Sequence, residues 1–153
     1  MNDERLDLQK FLPYRLSVLS NRLSAAISES YSRRYGLSIP EWRVIAVLAL
    51  ESGLSAAEVA ERTAMDKVAV SRAVRRLLST GRVQRETAAG DRRRSMLELT
   101  PEGRRIYHRV TPALRRYEAE LLAGLSATEQ RQLDAILRRL ERRAPTLDPP
   151  RID

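Results

Sequence analysis

Apolar positions near the start of the chain recur at alternating steps of four and three: Leu12, Leu16, Leu19, Leu23, Ala26 and Ser30. That period puts them on one stripe of a long helix, which Pro13 can begin and Gly36 can end. Ser38-Ile39-Pro40-Glu41 has the Ser-x-x-Glu spacing that satisfies two backbone donors at a helix start, and it leads into the apolar stretch Trp42 to Leu50 and a stop at Gly53. Ser55-Ala56-Ala57-Glu58 repeats the spacing and opens a two-turn helix to about Arg62. Asp66 can cap a fourth helix running to Thr80, with Gly81 ending it. Val83 to Thr87 and Ser95 to Leu99 then flank the turn Ala88-Ala89-Gly90-Asp91, the only strand signal in the sequence.

Thr100-Pro101 starts a further helix that extends to Leu122, with Pro112 expected to kink it. Ser126-Ala127-Thr128-Glu129 is a third capping box, and the helix behind it carries Leu133, Ile136, Leu137 and Leu140 along one side. Pro145, Pro149 and Pro150 predict an extended tail.

Projected at about 100° per residue, the fourth helix has two faces. Val70, Val74, Leu77 and Leu78 share one arc; Val68, Arg72, Arg75 and Ser79 lie opposite, with Ser71 and Arg76 at the flanks. A short helix, a tight turn and a second helix of this kind form a helix-turn-helix, whose second helix fits the major groove of B-DNA. Val68 and Ala69 are small enough to touch thymine methyls, and Arg72 or Arg75 suits the guanine O6 and N7 edge. An ordinary charged surface helix would carry the same pattern.

Charge favours the first alternative. The 153 residues carry a net charge of +8. Ten basic residues against three acidic ones lie between Arg62 and Arg94, so +7 of the total sits in about a fifth of the chain. Of the 28 cations 26 are arginine, whose planar fork suits phosphates and guanine edges. The candidate ribbon behind the fourth helix carries Asp91, Arg92, Arg93 and Arg94 at its tip, where arginines can enter a narrow minor groove. Asp91 stands where its carboxylate can orient the Arg93 guanidinium.

Other classes fit less well. The chain has no cysteine, which excludes disulfides and thiol chemistry. Its single histidine is His108, and no metal-ligand spacing, glycine-rich phosphate loop or cofactor motif occurs, so no catalytic residue is assigned. The seven aromatics (Phe11, Tyr14, Tyr31, Tyr35, Trp42, Tyr107, Tyr117) all lie outside the basic segment, unlike the interleaving expected of a single-strand or RNA binder. The longest apolar run, Val44 to Leu50, is far short of the roughly 20 residues needed to cross a bilayer, and the first ten residues are polar. A cytoplasmic protein with no membrane association is expected. A nucleoid-type architectural protein of little sequence preference remains open.

Together the pieces resemble the MarR (multiple antibiotic resistance regulator) family of winged-helix transcription factors over about residues 8 to 143. They are Pro40-Glu41-Trp42-Arg43, then Val70-Ser71-Arg72-x-Val74-x-x-Leu77 with Gly81-x-Val83, then Asp91-x-Arg93 followed by Leu99-Thr100-Pro101-Glu102-Gly103. The resemblance implies a mainly α fold of about six helices with a small β-wing. Residues 37-100 would form the winged helix-turn-helix, 8-36 and 101-143 the dimerisation helices, and 144-153 an extended tail. It also implies a homodimeric regulator, taken as a repressor, that binds double-stranded DNA at a near-palindromic operator. Ser71 and Arg72 would work in the major groove, and Arg93, supported by Asp91, in the wing. Lack of cysteine departs from the peroxide-sensing branch, so the signal is a ligand or something else other than thiol oxidation, with DNA binding free of any effector as a further alternative. The family places an effector cleft among the first, second and fifth helices. There Tyr14 and Trp42 can stack on an aromatic carboxylate, phenol or thioester, and Arg15 or Arg43 can neutralise its charge. Trp42 as a core anchor and Arg43 as a structural partner are the competing assignments.

Overall fold

The computed structural model describes residues 5–87 and 95–151. Six α-helices and one two-stranded sheet follow in the order α1 (Leu12–Tyr35), α2 (Ile39–Leu50), α3 (Ala56–Thr63), α4 (Lys67–Ser79), β1 (Val83–Thr87), β2 (Ser95–Leu99), α5 (Pro101–Leu122) and α6 (Ala127–Arg143). The chain divides into two compact units, residues 1–114 and 115–153, and α5 contributes to both.

Local chemistry sets most of the boundaries. Ser38, Ser55 and Ser126 each accept from the backbone N–H three residues on, while Glu41, Glu58 and Glu129 accept from the serine N–H in return. All three reciprocal capping boxes are therefore closed. Gly36 ends α1 at φ 62°. The C-cap of α3 is Ala64 at φ 50°, a left-handed conformation at a residue other than glycine, which fixes the sharp turn into α4. α5 runs unbroken through Pro112.

The core of the first unit is built on α4. Val70, Ala73, Val74 and Leu77 are buried, and they pack with Val44, Ile45 and Leu48 of α2, Val59 of α3, Val83 of β1 and Leu97 and Leu99 of β2. Tyr31 of α1 and Ile106 and Val110 of α5 belong to the same cluster. The core thus takes in the end of α1 and the first half of α5 together with the elements between them.

The strands pair antiparallel with Val83 opposite Leu99 and Thr87 opposite Ser95, at the predicted limits. The structure adds a β contact that the sequence did not signal. Gly53, at φ 77°, turns the chain after α2, so that Leu54 bridges Leu97 with Leu97 N donating to Leu54 O at 2.7 Å. A single-residue bridge has no alternating pattern to read. The tail also differs from expectation. Pro145 stands in the first turn of a 3-10 turn at Ala144–Thr146, where its missing N–H is no loss, and extended backbone begins only at Leu147.

Apolar stripes remain uncovered in both units. On α1, Leu12, Leu16 and Leu19 are 42 to 51% exposed; on α6, which has no buried residue, Leu133, Ile136, Leu137 and Leu140 are 38 to 52% exposed.

One close approach locks the strand-to-helix junction. Thr100 N–H donates to Arg82 O at 3.1 Å, Thr100 Oγ1 donates to Gly81 O at 2.7 Å, and Gly103 N–H donates to Thr100 Oγ1 at 3.2 Å. A Cβ on Gly103 would collide with the Arg82 carbonyl oxygen. Gly103→Ala is therefore expected to destabilise the protein by about 1–3 kcal/mol, whereas Gly124→Ala, with open space around it, stays within about 0.5 kcal/mol of the parent. Urea denaturation of the two variants checks the contrast.

Candidate nucleic-acid interface

The helix-turn-helix is held from both ends of α3. At its start Ser55 closes the capping box; at its end Arg62 makes two 2.7 Å hydrogen bonds, from Nε and Nη2, to the carboxylate of Glu51 at the C-cap of α2. Three residues, Ala64 to Asp66, separate α3 from α4. Asp66 Oδ1 accepts from Val68 N–H at 2.9 Å and from Ala69 N–H at 3.1 Å, satisfying free donors of the first turn. The direction of α4 is set by these fixtures and by its buried face.

The opposite face is bare. Val68 is 56% exposed, an aliphatic side chain left in water at the first turn of α4. Ser71, Arg72 and Arg75 are exposed, and among the described residues neither arginine has an ion-pair partner. Ala69 is half-buried on the flank facing α2, lining a depression of about 300 Å³ with Ser38, Pro40, Glu41 and Arg72. Arg76 is already engaged: its Nε lies 3.2 Å from Oε1 of Glu41, whose side chain is almost wholly buried. Asp91, Arg92, Arg93 and Arg94 lie outside the described residues.

Internal partners also claim other members of the basic segment. Arg62 is spent on Glu51, and Arg82 Nη2 donates to Tyr35 O at 2.6 Å, tying the junction before β1 to the end of α1. These two arginines brace the fold; nothing in their sequence spacing distinguished them from the exposed set.

The proposed effector residues do not converge within one chain. Tyr14 and Arg15 lie with Leu12, Leu16 and Leu19 along a shallow groove on α1. Trp42 and Arg43 line a separate cavity of about 170 Å³ with Ser24, Ile27, Tyr31 and Leu114. Ten residues of helix, roughly 15 Å, separate Tyr14 from Ser24. Trp42 is sandwiched, its ring centroid 5.3 Å from Tyr31 and 6.0 Å from Tyr107, both nearly parallel to it. Arg43 Nη2 donates to Ser24 Oγ at 3.2 Å. Trp42 is thus a core anchor and a cavity wall at once. The sequence reading missed Tyr31, Tyr107 and Ser24 here, because only tertiary packing brings them to Trp42.

A wider groove of about 750 Å³ follows α6, lined by Ile136, Leu140, Arg139, Arg142, Arg143 and Thr146. It is open to solvent along α6 and the turn that follows, and four of its six lining residues are polar. Among the described residues no group of three histidine, cysteine or acidic side chains is placed to hold a metal, and no helix is long and apolar enough to cross a membrane.

Comparison with known proteins settles what kind of molecule carries this face. Residues 35–94 match the sequence profile of the MarR family. The HTH-type transcriptional repressor Mb2911 of Mycobacterium bovis is 32% identical over 131 residues, spanning 85% of this chain and 91% of that protein. The chain belongs to the MarR family of transcriptional regulators. A MarR/EmrR family regulator from Acinetobacter sp. ADP1 superposes with a TM-score of 0.84 at 25% identity, over 93% of this chain and all of that one. The MarR family protein Rv2887 of Mycobacterium tuberculosis, solved in complex with p-aminosalicylic acid, gives a TM-score of 0.68 at 30% identity over 86% of this chain and 98% of its own.

The aromatic cluster makes a prediction of its own. Burial raises the pKa of the Tyr31 phenol above its ordinary 10.0, against the opposing pull of the Arg43 charge. A raised folded-state pKa means that the stability linked to Tyr31 is fully present below about pH 10 and is lost as pH rises through the folded value. Urea unfolding followed from pH 9 to 11.5 is expected to show this loss, and Tyr31→Phe to remove that component of the slope.

Proposed function

We propose that this MarR-family protein is a transcriptional repressor that binds an inverted-repeat operator in double-stranded DNA as a homodimer. The observation that carries the reading is the bare face of α4, where Val68, Ser71, Arg72 and Arg75 stand exposed on a helix fixed from three sides. In the major groove Val68 and Ala69 meet thymine methyls, while Arg72 and Arg75 reach guanine edges and Arg76 a phosphate. Arg92, Arg93 and Arg94 act from the wing, with Asp91 orienting Arg93. The uncovered stripes on α1 and α6 support the dimer, since apolar rows of that length are normally covered. Two α4 helices then enter successive major grooves about 34 Å apart.

Selection of bound duplexes from a random pool tests this reading. An inverted repeat is expected, recognised by a dimer in light scattering. Arg72→Ala is expected to change the preferred base and to cost about 1–3 kcal/mol, while Arg93→Ala weakens all sequences and lowers the salt slope by about one unit. Asp91→Ala acts in the same direction as Arg93→Ala, but less strongly. Recovery of duplexes without a common sequence would point instead to an architectural DNA-binding protein.

Release by a small aromatic carboxylate, phenol or thioester forms the second part of the proposal. A cavity of about 150 Å³ accommodates benzene, so the roughly 170 Å³ beside Trp42 suits one substituted ring. Trp42 and Tyr31 provide aromatic walls, and Arg43 a partner for a carboxylate. Tyr14 and Arg15 join such a site only if another copy of the chain brings them near. The related Rv2887 structure with p-aminosalicylic acid supports the class of ligand. Titration of aromatic carboxylates against the operator complex is expected to find one that displaces the protein, with Arg43→Ala reducing its potency. Unchanged potency in Arg43→Ala would remove Arg43 from the site.

A further inference from the structure

Glu41 is the one charged side chain buried among the described residues, and its two oxygens are divided between two helices. Oε2 accepts the Ser38 N–H at 3.1 Å and closes the α2 cap, while Oε1 lies 3.2 Å from Arg76 Nε on α4. A cap by itself needs no charge, since glutamine closes the same box. Burial of the carboxylate is balanced instead by Arg76.

The pair leaves half of Arg76 unused. Its side chain remains 66% exposed although Nε lies 3.2 Å from Glu41 Oε1, and the N–H groups of a planar guanidinium held in such an ion pair can still meet an anion. Arg72 lies one turn earlier on the same flank, and Arg72, Ala69, Ala73 and Arg76 form the α4 side of the depression whose other wall is Ser38 and Glu41. An arginine free in water loses rotamer freedom when it grips a phosphate, whereas one already held by a buried carboxylate has met part of that loss on folding.

We propose that Glu41 is a positioning residue for DNA binding: it holds Arg76 so that the outer N–H groups of the guanidinium meet a backbone phosphate beside α4, next to Arg72. The proposal rests on the DNA-binding reading above. Charge and position have opposite signs here. A carboxylate acting only through its charge repels phosphate, so its neutralisation tightens binding. A carboxylate that positions Arg76 loosens binding when it is neutralised, despite the added net positive charge.

The test uses a duplex selected from a random pool by the parent protein, with affinity measured from 50 to 200 mM salt. Glu41→Gln, which retains the cap, is expected to weaken binding about tenfold and to lower the salt slope by about one unit. Arg76→Ala is expected to do the same, and the double variant to bind no worse than Arg76→Ala alone. Arg76→Lys keeps the charge but lacks the fork, and is expected to resemble Arg76→Ala. Unaltered helix content and a dimeric state separate these effects from loss of fold. Should Glu41→Gln fail to fold, Arg76→Lys decides, because parent-like affinity and slope would overturn the proposal. Tighter or unchanged binding by Glu41→Gln, or losses that add in the double variant, would overturn it as well while leaving DNA binding itself intact. Failure of the parent to select any duplex would overturn the DNA-binding reading and this inference with it.

Discussion

The first unit depends on the packing of one side of α4. Thirteen residues supply the stripe Val70, Ala73, Val74 and Leu77, against which α2, α3 and β1 close. Val70, Val74 and Leu77 each contribute about 1.5–3 kcal/mol by leaving water, so these three alone are comparable to the net stability of a small domain. The same helix must leave its other face uncovered. Amphipathicity therefore fixes both fold and function: rotation of α4 by a single residue, about 100°, would bury arginine and expose valine. Asp66, the Arg62–Glu51 pair and the left-handed Ala64 hold the helix at the one rotation that meets both demands.

Electrostatics refine that arrangement. The basic segment reads in sequence as an undivided cationic surface, but Arg62 and Arg82 are spent on Glu51 and on the Tyr35 carbonyl, and Arg76 is shared with Glu41. Arg72 and Arg75 have no such partner among the described residues. An exposed ion pair such as Arg62–Glu51 adds little stability by itself. Its bidentate geometry matters as a spacer between α2 and α3, because it limits how far the short third helix can roll.

What was legible in the sequence follows from the range of the interaction. Capping boxes at Ser38, Ser55 and Ser126, the Asp66 cap, the stops at Gly36 and Gly81 and the limits of both strands are decided within three or four residues and stand where the sequence placed them, whereas α2 ends at Leu50, capped by Glu51, before the expected stop at Gly53. The two faces of α4 were equally readable, since helical period alone assigns them. Contacts between distant segments were not. Glu41 looked like a cap and is one, yet its second oxygen meets a residue 35 positions away. Leu54 shows no strand pattern because one residue suffices for its bridge to Leu97. The family resemblance implied a cleft in which Tyr14 joins Trp42, whereas the rings that flank Trp42 within the chain are Tyr31 and Tyr107.

Glu41 and Trp42 are consecutive residues of α2, and this adjacency ties the proposed effector cavity to the proposed DNA contact. One faces α4 through Arg76, the other faces α1 and α5 through Tyr31 and Tyr107. A ligand at the proposed site would touch Trp42, the residue next to the one that pairs with Arg76. Contact alone transmits nothing, because a ligand shifts an equilibrium only by the difference in its affinity for the two states. On the proposed reading that difference lies in how closely the walls of the cavity of about 170 Å³ fit the ring in each state. The first turn of α2 is where packing, capping and charge all meet: Trp42 is buried in the core, while Glu41 closes the Ser38 capping box with one oxygen and pairs with Arg76 through the other.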